Sequence, residues 1–354
     1  MRTQTTLHLL PTEGNPRNSE GSFAKLTDGR LLYVYSHYSG RSWNDDATAD
    51  LTARVSNDQG KTWGEDQMLL AHDKDALNLM SPSLLRLRDG RLSLTYLRKS
   101  ASAEHGVDCI PWMRFSSDDG RNWSEPSPIV AVKEYYVANN DRVIQLPSGR
   151  IIVPNSFHRA IDSTLHDGRA IGLFFLSDDG GKSFRESADW VLPLQHCGSG
   201  LQEPGVVSLG GDKLMAYFRT DLGFQYKAFS EDGGEHWTDA SPSGFIAPCS
   251  PLSIKRRPST GELFAVWNDR SNRWPDLPAP KDSSWSRTPL VLARSDDNGK
   301  TWKDYQLLEN DPARGYCYTA MHFTDDNALL LAYCCGGTGN VVLAESKIVR
   351  IELD

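Results

Sequence analysis

No stretch of this 354-residue chain approaches the 18 consecutive apolar residues of a membrane-spanning helix. The first ten residues, Met1 to Leu10, are too short and too polar for the hydrophobic region of a secretory leader. A cytoplasmic protein is therefore expected, unless a leader has already been removed. Cysteine is sparse. Cys109, Cys197, Cys249, Cys317, Cys334 and Cys335 form no Cys-x-x-Cys pair, which excludes a disulfide scaffold and reads mostly as reduced core thiols. Positive charge is in deficit, with 38 Lys and Arg against 46 Asp and Glu, a net charge of −8. No overall footprint for nucleic acid or an anionic membrane surface follows from that, although a local basic pocket stays open. Long helical periodicity is also missing. What is present is 39% hydrophobic and 10% aromatic residues, enough for a large core and too many for disorder.

One octapeptide recurs, with the pattern Ser-x-Asp-x-Gly-x-(Thr/Ser/Asn/His)-(Trp/Phe). Its copies run from Ser56 to Trp63, Ser116 to Trp123, Ser177 to Phe184, Ser230 to Trp237 and Ser295 to Trp302, at spacings of 53 to 65 residues. The pattern suits a hairpin turn: Asp accepts backbone N–H groups across the loop, Gly supplies positive φ, and the aromatic seals the turn against a neighbour. A calcium loop would need a closing Glu at the proper distance, which these turns lack, so no metal is expected there. A second repeat runs out of phase with the first, as strand, turn, strand, with turns at Gly29, Gly90, Gly149, Gly211, Gly261 and, in the last copy, Asp326.

Length alone suggests two domains, and the repeat replaces that prior. Short β-branched and aromatic runs, four to each unit of about 60 residues, predict an all-β, six-bladed β-propeller occupying 1–354 as a single domain. The N-terminal strand is expected to pair with the last blade and close the ring, removing its exposed edges. The Pro-rich run from Trp274 to Lys281 reads as an insertion loop of the fifth blade.

Ligands are expected where loops converge on the axis. Eight residues after the turn glycine stand His37, Arg98, Phe157, Arg219 and Asp269, with Lys99, His158 and Arg270 one step further; before it stand Glu20, Ser81, Asn140 and Glu203, with Tyr318 matching in the last unit. Ionisable side chains at positions a core would fill with Val or Leu need a reason. Asn139, Asn140, Asp141 and Arg142, with His158, Tyr135 and Tyr136, read as a patch for sugar hydroxyls or as a satisfied loop network.

The five octapeptides, the Glu203-Pro204-Gly205-Val206-Val207 segment followed by Arg219, Arg287 eight residues before an octapeptide, and Tyr316-Cys317-Tyr318-Thr319-Ala320 together resemble the sialidases of the neuraminidase superfamily across essentially the whole chain. The resemblance implies a six-bladed propeller in which Tyr318 is the nucleophile, activated by Glu203. A neutral phenol approaches an anomeric carbon bearing a carboxylate without like-charge repulsion. It also implies an acid/base aspartate on the loop Ser42 to Asp50, where Asp46 and then Asp45 are the candidates. Three arginines would clamp the substrate carboxylate. Arg219 and Arg287 match two of them. The family's Arg-Ile-Pro is replaced by Arg17-Asn18-Ser19-Glu20, so either Arg17 reaches in from a shifted loop, or Arg98 or Arg142 takes its place, or the substrate is not an ordinary sialoside.

The leading expectation is an exo-acting retaining glycoside hydrolase that removes a terminal sialic acid or related acidic sugar, with no cofactor and a glycan as its partner. A hydrolase or lyase for another polysaccharide, using His and Tyr as acid and base, and a non-catalytic carbohydrate-binding propeller are the alternatives. Oligomeric state stays open.

Overall fold

The computed structural model describes residues 2–162, 165–194 and 196–353. Apart from one 3-10 turn at Asp282–Ser284, all the regular structure described is β. No helix is long and apolar enough to cross a membrane among the described residues. The strands form antiparallel meanders in chain order. Asn18–Lys25, Leu31–Tyr38, Ala49–Ser56 and Gln67–Leu70 make the first. Asn78–Arg86, Leu92–Ser102, Gly106–Ser116 and Ser127–Pro128 follow. Ile144–Gln145, Ile151–His158, Ile171–Ser177 and Arg185–Glu186 come next. These three are joined into one continuous sheet through the short pairings Ala49↔Asn78 and Tyr135↔Cys109. Separate four-stranded sheets run from Gln202 to Ile246 and from Ser253 to Glu309. The last sheet combines Cys317–Phe323, Ala328–Cys334 and Ser346–Glu352 with the N-terminal strand Thr3–Leu9, which pairs antiparallel to Ser346–Glu352.

Second strands such as Leu263–Asn268 and Ala328–Cys334 are buried along their whole length, because neighbouring sheets cover both faces. Their sequences, Leu-Phe-Ala-Val-Trp-Asn and Ala-Leu-Leu-Leu-Ala-Tyr-Cys, are accordingly near-continuous apolar runs rather than alternations. The six cysteines are all free, and all but Cys249 are buried.

The octapeptide turns share one hydrogen-bond pattern. Each Ser hydroxyl donates to the Asp two residues on at 2.7 to 2.9 Å, and each Asp accepts the backbone N–H of the seventh residue at 2.8 to 3.0 Å. The fifth-position glycines sit at φ of 78° to 88°, and each faces the preceding meander. A Cβ on Gly181 would lie 2.4 Å from Phe115, and one on Gly60, in the first meander, 2.6 Å from Leu330 in the last. The closing aromatics do the same, as where Trp237 stacks on Phe174 at 4.1 Å between centroids. The first strand of the first meander, Asn18–Lys25, packs against both Asn78–Arg86 and Cys317–Phe323.

Candidate active site

At the start of four meanders the first strand carries one residue more than its partner. Register shifts fall between Ser19 and Gly21, Met80 and Ser83, Gln202 and Gly205, and Cys317 and Ala320. Glu20, Ser81, Glu203 and Tyr318 occupy these bulges with φ of 41°, 53°, 48° and 58°. A bulge turns one side chain out of the strand's alternation. Left-handed backbone at a residue other than glycine costs on the order of 1–3 kcal/mol and persists only where the surroundings enforce it. Here all four side chains are delivered to one cavity of about 180 Å³. Gly205, two residues past Glu203, is required by close packing, since a Cβ there would lie 2.2 Å from the Tyr217 ring.

Tyr318 Oη donates to Glu203 Oε1 at 2.8 Å, and Arg219 Nη1 donates to the same oxygen at 2.8 Å. Burial alone would raise the Glu203 carboxyl, but the Arg219 and Arg287 guanidiniums outweigh it and hold the group below its ordinary value. Burial and the Glu203 charge push the Tyr318 phenol well above its own. At neutral pH the pair is therefore a carboxylate accepting from a neutral phenol, the starting state for base-assisted attack. Arg287 lies 5.5 Å from the centre of the Tyr318 ring and donates to Cys317 Sγ at 3.0 Å. Asn268 Nδ2 positions it by donating to the carbonyls of Arg287 and Tyr316 at 2.8 and 3.1 Å.

Arg17 is buried and fully engaged. It donates to Ser19 Oγ at 2.7 Å, Glu20 Oε1 at 2.6 Å, Asp45 Oδ1 at 2.5 Å and the Trp43 carbonyl at 3.1 Å. Burial raises the Glu20 carboxyl, with Arg17 opposing. The exposed loop carrying Asp45 and Asp46 is thus tied to the cavity twice, because Asp46 Oδ1 accepts from Lys99 Nζ at 2.9 Å. Asp45 lines the cavity and Asp46 does not. Asp50 is taken up by His72, through its backbone N–H and Nδ1.

His158 lines the cavity, its Nδ1 against the Asp167 carbonyl at 2.9 Å, and burial keeps its ring below the ordinary histidine value. Asn139 also lines it, whereas Asn140 works behind it, donating to the carbonyls of Gly21 and Tyr318 at 2.7 and 3.1 Å. The left-handed residue of that meander is Asp141, and its carboxylate accepts from Lys255 and from the Met321 N–H, away from the cavity lining.

Four expectations need correction, the first being Asn140, which lies behind the cavity as just described; Arg17, Arg219 and Arg287 are likewise not in its lining but bond to Glu20, Glu203 and Cys317, in it or next to it. Arg98 is not in the cavity: it makes a two-bond contact with Asp73 at 2.8 and 2.6 Å, and its neighbour Lys99 faces inward instead. Counting from a turn glycine fixes position along a strand, but one step reverses the face. Arg142 is a buried structural group, donating to Tyr217 Oη, Ser253 Oγ and the Leu252 carbonyl. His37 sits in the ladder opposite Asn18 and Asp50, outside the cavity lining. Lys99 is missed because the stretch 92–97 is buried without alternation, so the strand's own sequence does not mark which face meets the cavity. Cys249 and Cys317, which accept from Arg219 and Arg287, left no signal in the sequence.

Residues 38–331 match the BNR repeat-like domain family. A sialidase of Bacteroides fragilis is 23% identical over 338 residues, covering 86% of this chain and 57% of that protein, so this chain spans little more than half of that relative. Among solved structures, a Dyadobacter fermentans protein of unknown function superposes with a TM-score of 0.74 at 18% identity, covering 99% of each chain. The NanB sialidase of Streptococcus pneumoniae gives 0.72 at 12% identity, over 99% of this chain and 70% of that one. An intramolecular trans-sialidase of Ruminococcus gnavus, in complex with oseltamivir carboxylate, gives 0.68 at 14% identity, over 95% and 94%. At these identities the superpositions establish the fold. With the match spanning most of its length, the chain belongs to the BNR repeat-like family and is a divergent member of the sialidase superfamily.

Proposed function

We propose that the chain is a single six-bladed propeller and an exo-acting retaining glycoside hydrolase that removes a terminal sialic acid or related acidic sugar. The observation carrying the reading is the Tyr318–Glu203–Arg219 contact, two 2.8 Å bonds to one carboxylate oxygen, with Tyr318 and Glu203 in the cavity lining. The ring architecture is supported by the turn of the first meander resting on Leu330 of the last. In the first step Tyr318 Oη attacks the anomeric carbon as Glu203 takes its proton, while a loop aspartate protonates the departing oxygen. In the second, the same aspartate deprotonates water, which displaces the tyrosine with net retention as Glu203 returns its proton to Tyr318 Oη.

Asp45 is the better placed of the two loop candidates, because it lines the cavity. Burial would raise its carboxyl, but the charges of Arg17 and Lys99 hold it below the ordinary range. A substrate carboxylate entering beside Asp45 would add a negative neighbour, so binding itself would move Asp45 towards an acid.

Tyr318→Phe and Glu203→Gln should each lower kcat on a fluorogenic acidic glycoside by orders of magnitude, with folding intact. Unchanged rates for both defeat the assignment. One observation favours a second reading: Tyr135 and His158 share the cavity, ring centres 5.9 Å apart, as an acid/base pair for a lyase would. An unsaturated product, seen by ultraviolet absorbance, would select it.

A further inference from the structure

We propose that Lys99 is the receptor for an oxyanion of the sugar, which takes the place of Asp46 on its ammonium. The inference rests on the glycosidase reading above and names the feature of the substrate that this chain selects. Among the described residues lining the cavity, Glu20, Asp45 and Glu203 are carboxylates and Lys99 is the one lysine or arginine.

Arg17, the family-like candidate, is held by a counterion that cannot leave. The Glu20 side chain is 3% exposed and bonded at 2.6 Å. Lys99 differs in this respect. Its side chain is 3% exposed, while that of Asp46, on the loop, is 54% exposed. A buried ammonium left without an anion is strongly unfavourable, so Lys99 requires a partner at all times. A loop carboxylate already largely in water loses little when a ligand replaces it.

Cys109 lies opposite Lys99 in the ladder, the Tyr135 ring is 5.3 Å from Nζ with its hydroxyl bonded to the ammonium, and Asp45 is a second negative neighbour, while Met80, Leu97 and Val137 supply apolar lining to the same cavity. That setting strengthens a charge contact. An ammonium is a compact point charge with rotatable donors and does not demand the planar fork geometry that a guanidinium does. The ligand class is therefore a sugar bearing a carboxylate, sulfate ester or phosphate ester on the Lys99 side.

The test uses fluorogenic glycosides whose sugar carries each of these groups, every one beside its neutral counterpart, the carboxamide or the free hydroxyl. Lys99→Met should raise KM for the charged member by roughly 10- to 100-fold, with a smaller change in kcat and little change in KM for the neutral member. Lys99→Arg should recover part of the selectivity, and the group whose ratio collapses identifies the source of the oxyanion. A charged-over-neutral ratio retained in full by Lys99→Met overturns the proposal; Lys99→Gln carries the same measurement if the methionine variant does not fold. If the wild-type protein turns over none of the panel, the glycosidase reading fails on its own, and calorimetry with free sialic and glucuronic acids decides about Lys99. Binding lost in Lys99→Met supports the receptor, whereas equal binding by both proteins, or none by wild type, overturns it.

Discussion

Replacing Arg219 by methionine should move the acid limb of kcat/KM to higher pH. The active form of Glu203 is the carboxylate, and its pKa is depressed because Arg219, 2.8 Å away, and Arg287 outweigh the effect of burial. Activity limited by Glu203 is therefore retained as pH falls through the ordinary glutamate range and lost only below it. Without Arg219, burial pushes the pKa up against Arg287 alone. A neighbouring guanidinium is worth about 1–3 pKa units, or about 1.4–4 kcal/mol between the two protonation states. The limb should rise by about that many units, with methionine keeping the packing of the stem. Arg219→Lys keeps the charge and should move it less. Arg287→Met should also move it less, because Arg287 bonds Cys317 rather than Glu203. The assay is the pH profile of kcat/KM on one fluorogenic acidic glycoside. Titration of the substrate's own carboxylate is common to all variants and cancels in the comparison. A limb that stays fixed or moves down in Arg219→Met refutes the reasoning, as does a limb that survives in Glu203→Gln.

Gly60 and Gly29 both have positive φ, 79° and 87°, but a Cβ meets Leu330 at 2.6 Å in the first case and open space in the second. Both Gly→Ala changes should cost about 1 kcal/mol for the backbone, and Gly60→Ala about 1–3 kcal/mol more for overpacking. Equal losses in chemical denaturation would mean that the first turn does not rest on the last sheet. In the turn at Ser116, the side chain and backbone of Asn122, followed by Ser116, hold Asp118 at about 2. Depressed in the folded state, this group stabilises above its unfolded value, about 3.9, and that contribution is lost as pH falls through about 2. Asp118→Asn should therefore flatten acid unfolding between about pH 4 and 2, and an unchanged melting profile across that window would contradict the bonding.

The turns were readable because their chemistry is local: Ser, Asp and Gly lie within one octapeptide, and nothing distant is needed to specify the bonds from Ser56 to Asp58 and from Thr62 to Asp58. Tyr318 and Glu203 were reachable by comparing equivalent positions across repeats, since the same bulge recurs at both. That comparison failed wherever a side chain's direction is set from outside its own repeat. Arg98 and Lys99 differ by one step, and only the covering sheets decide which faces the cavity. In the third meander the left-handed residue is Asp141 rather than Asn140, and neither side chain lines the cavity. The clamp on Arg17 joins residue 17 to residue 45 across the first meander, a contact that no local pattern records.

The net charge of −8 says little about the cavity, since exposed charges beyond roughly 10 Å are screened and the buried groups set the local field. Most cations here come with a carboxylate of their own: Arg17 with Glu20 and Asp45, Arg219 with Glu203, Lys99 with Asp46. Arg287 is the exception. Among the described residues it makes no ion pair with a carboxylate, its Nε is buried without an acceptor, and its bonded partner is the Cys317 thiol. Burial works against that thiol's ionisation, yet its bonds to Cys334 and Arg287 draw its pKa below the ordinary value, as expected beside a guanidinium short of an anion. A buried donor of this kind is costly to leave unmet. A ligand carboxylate entering beside Tyr318 would supply the missing acceptor without displacing any group of the protein, whereas at Arg17 and Lys99 it must displace a loop aspartate. On the proposed reading the two sides of the cavity would respond to an anion differently, Arg287 by gaining an acceptor and Lys99 by exchanging Asp46 for the ligand.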